Sequence, residues 1–502
     1  MSFYDSLKKV LDQNEKRTEN GAVGYETSGS ALVDMNFKVP SYRNAQVQTI
    51  LNDFLKAYSE DPELAVKWMF YAGDIREGLG ERRLFKILVT NVIPMFPHLI
   101  PQIAEYSRFD VLEELLGTSA EKAMFDYANA VLTSDLANMK AGKSVTLLGK
   151  WLPSINTSSA LKRAHAAQFA KAFGMKPAEY RKTLSALRKH IDVVEVKMCA
   201  KEWSDIDYQK VPSKANLKYS EAFLRNDETR RRAFLSALTK GEAKVNSGAC
   251  FPHDIVAKYR SCRTEDLLLE GMWKNLPARD ASKKPVIVVR DGSGSMCTSV
   301  DRRSHVTALD VATALAIYFS EHAHADFKDQ FITFSEYPKL ISLKNLTSLK
   351  DKLVRAYNEA ECANTNIEAV FDLLLKTAKQ SSMKQEDIPE VLIISDMEFD
   401  SCVTSNAKHR DWSSNLAQTE PNLFKSIAAK WKTAGYDLPG VTFWNVASRT
   451  NTVPMQRNKL GVKLLSGFSQ NAIEIVMGDE KSPFDALKKV LLSDRYAPIT
   501  LK

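Results

Sequence analysis

The stretch PVIVVRDGSGSM, residues 285–296, decides the fold. Its opening, Pro285 to Val289, is a short apolar run that reads as a fully buried strand. The strand ends at Arg290-Asp291, and Gly292-Ser293-Gly294-Ser295 follows as a tight loop. Leu309 to Ser320 (LDVATALAIYFS) then reads as a helix. Asp291, Ser293 and Ser295 therefore sit at the carboxyl end of a buried strand, where ligands collect in open α/β sheets. One carboxylate and two hydroxyls are hard oxygen donors. They suit Mg²⁺, Mn²⁺ or Ca²⁺ rather than zinc.

Outward from that stretch, residues 285–502 alternate strands and helices. Strands are predicted at Val286–Val289, Phe331–Phe334, Val391–Ser395, Val441–Val446 and Val462–Leu465. Helices are predicted at about 305–321, 347–356, 366–379, 421–433 and 483–493. This alternation predicts a doubly wound, mostly parallel α/β sheet of Rossmann type. Two further oxygen groups fall where such a sheet would present them. Thr365, in ECANTNIEA, precedes a helix, and Asp396, in VLIISDMEF, ends a buried strand. Asp400 follows soon after but is less well placed. An Asp that caps the next helix beside a serine turn would give the same local pattern. No Walker loop, GxGxxG or usable Ser/His pair accompanies these residues, so no enzyme is expected.

Residues 46–284 carry helical periodicity. VQTILNDFLKAYSEDPELAVKWMFYAGDI predicts two helices broken at Asp61-Pro62. Further helices are expected over 84–95, 103–116, 121–136, 161–173 and 177–194, as stacked pairs or an irregular bundle. Residues 1–45 are polar, with scattered Gly, Ser and Asn, and read as an extension that is ordered in part at best. The expected domains are thus 1–45, 46–284 and 285–502.

The net charge of +8 is unevenly spread. Residues 151–284 hold 26 Lys and Arg against 15 Asp and Glu, whereas 285–502 hold 26 of each. Such a basic middle third is the electrostatic footprint expected for a polyanion. The candidate contacts are Lys162, Arg163, Lys171, Arg181, Lys182, Arg188, Lys189, Lys214, Lys218, Arg230, Arg231 and Arg232. Trp203, Tyr208 and Tyr219 lie among them, and aromatics beside cations can stack bases. A solvated basic face over an aromatic core explains the same composition.

No run of about 18 apolar residues predicts a membrane span. The polar first twenty residues are unlike a secretory signal. Six cysteines without CxxC spacing argue against a zinc site or disulfide framework, and a cytoplasmic monomer is expected.

The order Asp-x-Ser-x-Ser, Thr before a helix, then Asp ending a strand resembles the metal-ion-dependent adhesion site of von Willebrand factor A domains. The resemblance implies that Ser293, Ser295 and Thr365 bind the ion directly or nearly so. Asp291 and Asp396 would then act mainly through waters, leaving one position for an acidic group from a partner. WMFYAGDIREGLGERRLF (68–85), WSDIDYQKVPSKANLKY (203–219), RNDETRRRAF (225–234) and SDMEFD (395–400) carry a wider likeness. With a helical half before an A-type domain, the chain resembles the TROVE family of Ro-like RNA-binding proteins, in a less characterised branch. That likeness implies HEAT-like helix pairs and binding of small noncoding RNAs or single-stranded ends of misfolded RNAs. A metal-dependent protein-interaction scaffold without RNA is the main alternative, and a metal-dependent nuclease a further one.

Overall fold

The computed structural model describes residues 15–262, 264–302, 304–334, 337–359, 366–399, 423–454, 461–480 and 482–502. The chain divides into two compact units, one of residues 1–65 with 250–493 and one of 66–249 with 494–502.

The first unit is built on a six-stranded sheet. A separate two-stranded ribbon pairs β1 (Glu15–Arg17) with β2 (Val23–Tyr25). The main sheet comprises β3 (Val286–Asp291), β4 (Gln330–Phe334), β5 (Leu340–Ser342), β6 (Glu390–Ser395), β7 (Val441–Asn445) and β8 (Val462–Ser466). Its order is β5-β4-β3-β6-β7-β8, parallel throughout except for β5, which runs antiparallel to β4 at one edge. β3, β7 and β8 are buried along their whole lengths, as expected of parallel strands covered on both faces. Alternation along β3 sends Ile287 and Val289 into the core shared with Phe371, Phe424 and Trp431. On the strands beyond, Trp444 meets Phe319 edge-to-face at 5.5 Å. Phe319 belongs to the Ala308–His322 helix, which is buried from Ala308 to Ser320. Thr307 and Asp310 close its N-terminus as a capping box. The strand order reverses between β3 and β6, so the crevice at their carboxyl ends is a topological switch point.

Three expectations about boundaries change. Residues 46–65 and 250–284, expected in the helical domain, group with the α/β unit. Residues 15–45 are folded parts of the α/β unit. In the Ala31–Phe37 helix every residue from Leu32 to Phe37 is buried, and Val33 and Phe37 join the main core. Ser466 donates its hydroxyl to Asn36 O, and Asn445 Nδ2 donates to Phe37 O at 2.8 Å. The helix is thereby fastened to the carboxyl ends of β7 and β8. At the other end, the tail 494–502 belongs to the helical unit. Tyr496 stacks on Tyr106 with ring centroids 5.5 Å apart, and Arg495 Nε donates to the buried Asp74 at 2.9 Å.

The second unit is helical among its described residues. The break at Asp61-Pro62 stands between helix Val47–Glu60, which belongs to the first unit, and helix Pro62–Gly73, which leads into the second. One helix expected over 103–116 is instead Ile100–Tyr106 followed by a 3₁₀ segment, Phe109–Leu115. The basic region contains helices Ala160–Ala172, Pro177–His190, Ser213–Asn226 and Glu228–Lys240.

Candidate functional site

The loop after β3 and the turn after β6 meet at the switch point. Asp291 is fully buried at the end of β3. Its Oδ1 accepts from the Ser293 N–H at 2.9 Å, and its Oδ2 accepts from the Ser395 hydroxyl at 2.6 Å. The Ser293 and Ser295 hydroxyls are 3.0 Å apart. Asp396, 1% exposed, follows β6 directly, and the Ser295 hydroxyl is close enough to hydrogen-bond its carboxylate. Asp291, Ser293, Ser295 and Asp396 therefore come together. Thr365 and Asp400 lie outside the described residues.

Burial pushes the Asp396 carboxyl up to about 7, and the Asp291 charge adds to that rise. Burial likewise raises Asp291, opposed by the hydrogen bonds from Ser395 and Ser293. Two buried carboxylates that raise each other's proton affinity, beside two hydroxyls, form an all-oxygen donor set. A hard divalent cation would relieve their repulsion, so these residues fit Mg²⁺ or Mn²⁺. Among the described residues, no group of three or more His, Cys, Asp and Glu side chains is placed to hold a metal. A hydroxyl-rich set with two carboxylates is a different kind of site. Behind it, the buried Arg290 donates to Thr313 Oγ1 at 3.2 Å and Ala356 O at 3.0 Å.

A residue that sequence reasoning missed organises the rim. Glu398 is fully buried two positions after Asp396. Its Oε1 accepts from the Arg449 and Thr450 N–H groups, each at 2.9 Å, and its Oε2 from the Glu19 N–H at 2.8 Å. The Thr450 hydroxyl lies 3.0 Å from both oxygens. The β1–β2 turn is fastened to the same segment by Thr18 Oγ1 to Phe399 O (2.6 Å) and Asn20 Nδ2 to Glu398 O (2.7 Å). Met397 between the two acids has φ +62°, which turns the chain so that both carboxylates point inward.

The twelve basic candidates separate into two groups. Arg188 donates to Gly149 O, Leu152 O and Ser154 Oγ at 2.8–2.9 Å and ties the helical unit together. Arg231 is 1% exposed, donates to Asn216 Oδ1 at 3.2 Å, and lies over the Tyr208, Phe223 and Phe234 rings. Arg230 donates to Trp203 O and Ile206 O, Arg232 pairs with Glu228, and Lys162 pairs with the buried Glu113. Arg163, though exposed, donates to Thr157 O and Ser158 O. Lys171, Arg181, Lys182 and Lys189 are exposed and make no ion pair among the described residues. Lys214 and Lys218 are also exposed, with Lys218 Nζ 4.9 Å from the Tyr219 ring centroid. The aromatics are core rather than a stacking platform. Tyr208 is buried, and Trp203 and Tyr219 pack edge-on against Phe223.

Comparison with known proteins matches two families described as domains of unknown function. DUF2828 matches residues 124–288, and DUF7788 matches 285–492. The chain is also similar to the uncharacterized protein L728 of Acanthamoeba polyphaga mimivirus. The two are 29% identical over 524 aligned residues, covering 94% of this chain and 86% of the viral protein. Among the described residues, no helix is long and apolar enough to cross a membrane.

Proposed function

We propose that this is an RNA-binding protein that also holds a divalent cation at the Asp291–Asp396 rim, where an acidic group of a protein partner completes the coordination. One observation carries the metal reading: an Asp-x-Ser-x-Ser loop and a second buried aspartate converge at the switch point of a parallel sheet. The single antiparallel edge strand next to β4 supports assigning the sheet to the von Willebrand factor A type. In this reading Ser293 and Ser295 ligate Mg²⁺, Mn²⁺ or Ca²⁺ with Thr365. Asp291 and Asp396 supply charge through waters. The site binds rather than reacts, since two carboxylates are fewer than a two-metal nuclease uses.

RNA binding rests on the basic balance of residues 151–284 and the exposed Lys171, Arg181, Lys182 and Lys189. Residence in the cytoplasm as a monomer belongs to the same proposal. The second reading, a metal-dependent scaffold without RNA, gains from the internal engagement of Arg188, Arg230 and Arg231, which commits their donors to contacts within the helical unit.

Filter binding of a single-stranded RNA across a salt series tests the first arm. A log affinity that falls steeply with log salt is expected, and no binding at low salt would refute it. Pull-down in Mg²⁺ against EDTA, with Ser293→Ala as control, tests the second. A partner retained equally in all three would sink the metal-dependent reading.

A further inference from the structure

Beside the rim stands one cation whose position the site itself does not require. Arg449 Nη2 lies 3.5 Å from Asp396 Oδ2 and 2.5 Å from Glu19 Oε2. The Arg449 side chain is 38% exposed and that of Glu19 is 55% exposed, whereas Asp396 is buried. We infer that Arg449 is a second anchor for the acidic partner group, and that Glu19 is a built-in carboxylate that occupies Arg449 until the partner arrives. This deepens the metal-dependent reading and rests on it.

The backbones on both sides are held firmly. The Arg449 and Thr450 N–H groups donate to Glu398, and so does the N–H of Glu19 itself. Thr18 and Asn20 fasten the rest of the turn. What remains adjustable is the Glu19 carboxylate. Among the described residues its one partner is Arg449. An exposed ion pair of this kind is worth about 0–1 kcal/mol, so it exchanges readily. The guanidinium is a planar fork suited to a carboxylate, and its base is rigid.

Charge favours a carboxylate over a phosphate. Asp291, Asp396, Glu398 and Glu19 against Arg290 and Arg449 leave the rim at a formal −2, which one divalent ion cancels. Swapping Glu19 for a partner's carboxylate conserves that balance. A doubly charged phosphate would leave a surplus. The entering group would reach the cation with one oxygen and Arg449 with the other, while Glu19 swings into solvent.

Three measurements on the full chain test this: Mn²⁺ affinity by electron paramagnetic resonance, and glutarate and inorganic phosphate affinities by calorimetry in Mg²⁺. Arg449→Gln should bind Mn²⁺ more tightly, since a positive charge leaves the rim, yet bind glutarate about tenfold or more weakly. Glu19→Gln should move the other way, with glutarate about two- to fivefold tighter and Mn²⁺ slightly weaker. Arg449→Lys should keep the wild-type Mn²⁺ affinity and still bind glutarate poorly, because the charge is restored without the fork. A merely structural role would not move the two affinities in opposite directions. Mn²⁺ binding that vanishes in Asp291→Asn, together with equal glutarate affinity in wild type and all three variants, would overturn the anchor while leaving the metal reading intact. Absence of Mn²⁺ binding in the wild type would overturn both. Phosphate bound more tightly than glutarate would overturn the assignment to a carboxylate.

Discussion

Replacing Glu398 by Gln exchanges one carboxylate oxygen for NH₂ and should unsettle the whole rim. The carboxylate is fully buried and accepts from Glu19 N, Arg449 N, Thr450 N and the Thr450 hydroxyl. In the amide, the oxygen can stay towards Arg449 and Thr450, but the NH₂ then faces the Glu19 N–H, donor against donor. Hydrogen bonds to a charged acceptor are worth about 1.5–3 kcal/mol, against about 0.5–1.5 for neutral ones. Weakening the retained contacts and leaving one donor unsatisfied gives a loss of about 3–5 kcal/mol, allowing for non-additivity within one network. In a unit of this size each kcal/mol shifts the midpoint by roughly 2–4 °C, so thermal melting should drop by about 6–20 °C. The matched control is Glu228→Gln, which removes an exposed pair with Arg232 and should cost well under about 1 kcal/mol. If Glu398→Gln melts with the control, the Glu398 network is not what fixes the β1–β2 turn and the 448–450 loop to the site.

Three other outcomes follow from the same geometry. Lys463, buried on β8 and donating to Val476 O, has its ammonium pushed down to about 8, first by burial and then by the nearby Lys284. Below pH 8 the protonated lysine is a full penalty; between about 8 and 10.5 the folded state binds fewer protons than the unfolded, so stability rises with pH. Denaturant midpoints of wild type minus Lys463→Met should therefore climb across that window, and a flat difference would contradict it. Gly78 lies where an added Cβ would sit 2.0 Å from Tyr71 O, so Gly78→Ala should destabilise the helical unit by about 1–3 kcal/mol in urea unfolding. Changing Lys171, Arg181, Lys182 and Lys189 together to Ala should flatten the salt slope of RNA binding by about 3, whereas Arg188→Ala should act on stability.

The α/β unit was legible because its strands are local signals. VIVVRD and EVLIIS are continuous apolar runs, and buried parallel strands look like that. The convergence of Asp291, Ser293, Ser295 and Asp396 followed from strand ends and needed no long-range knowledge beyond sheet order. The folded 15–45 segment escaped notice because its helix spans seven residues, too few to show a period, and its strands span three. The tail escaped for a different reason: Tyr496 is defined by Tyr71 and Tyr106, some four hundred positions away. Glu398 reads as an ordinary surface acid until its backbone donors are in place. Charge counting located a basic region but could not separate Arg188 and Arg231, whose partners are carbonyls, an amide and aromatic rings, from the exposed cations around them.

Mn²⁺ titration of the full chain, followed by electron paramagnetic resonance, tests the central claim most directly. The account predicts one bound ion per chain, lost in Asp291→Asn and in Ser293→Ala, and a stability gain of about 2.7 kcal/mol at a hundredfold excess over Kd. An ion that binds equally well to those variants, or no bound ion in the wild type, would contradict it.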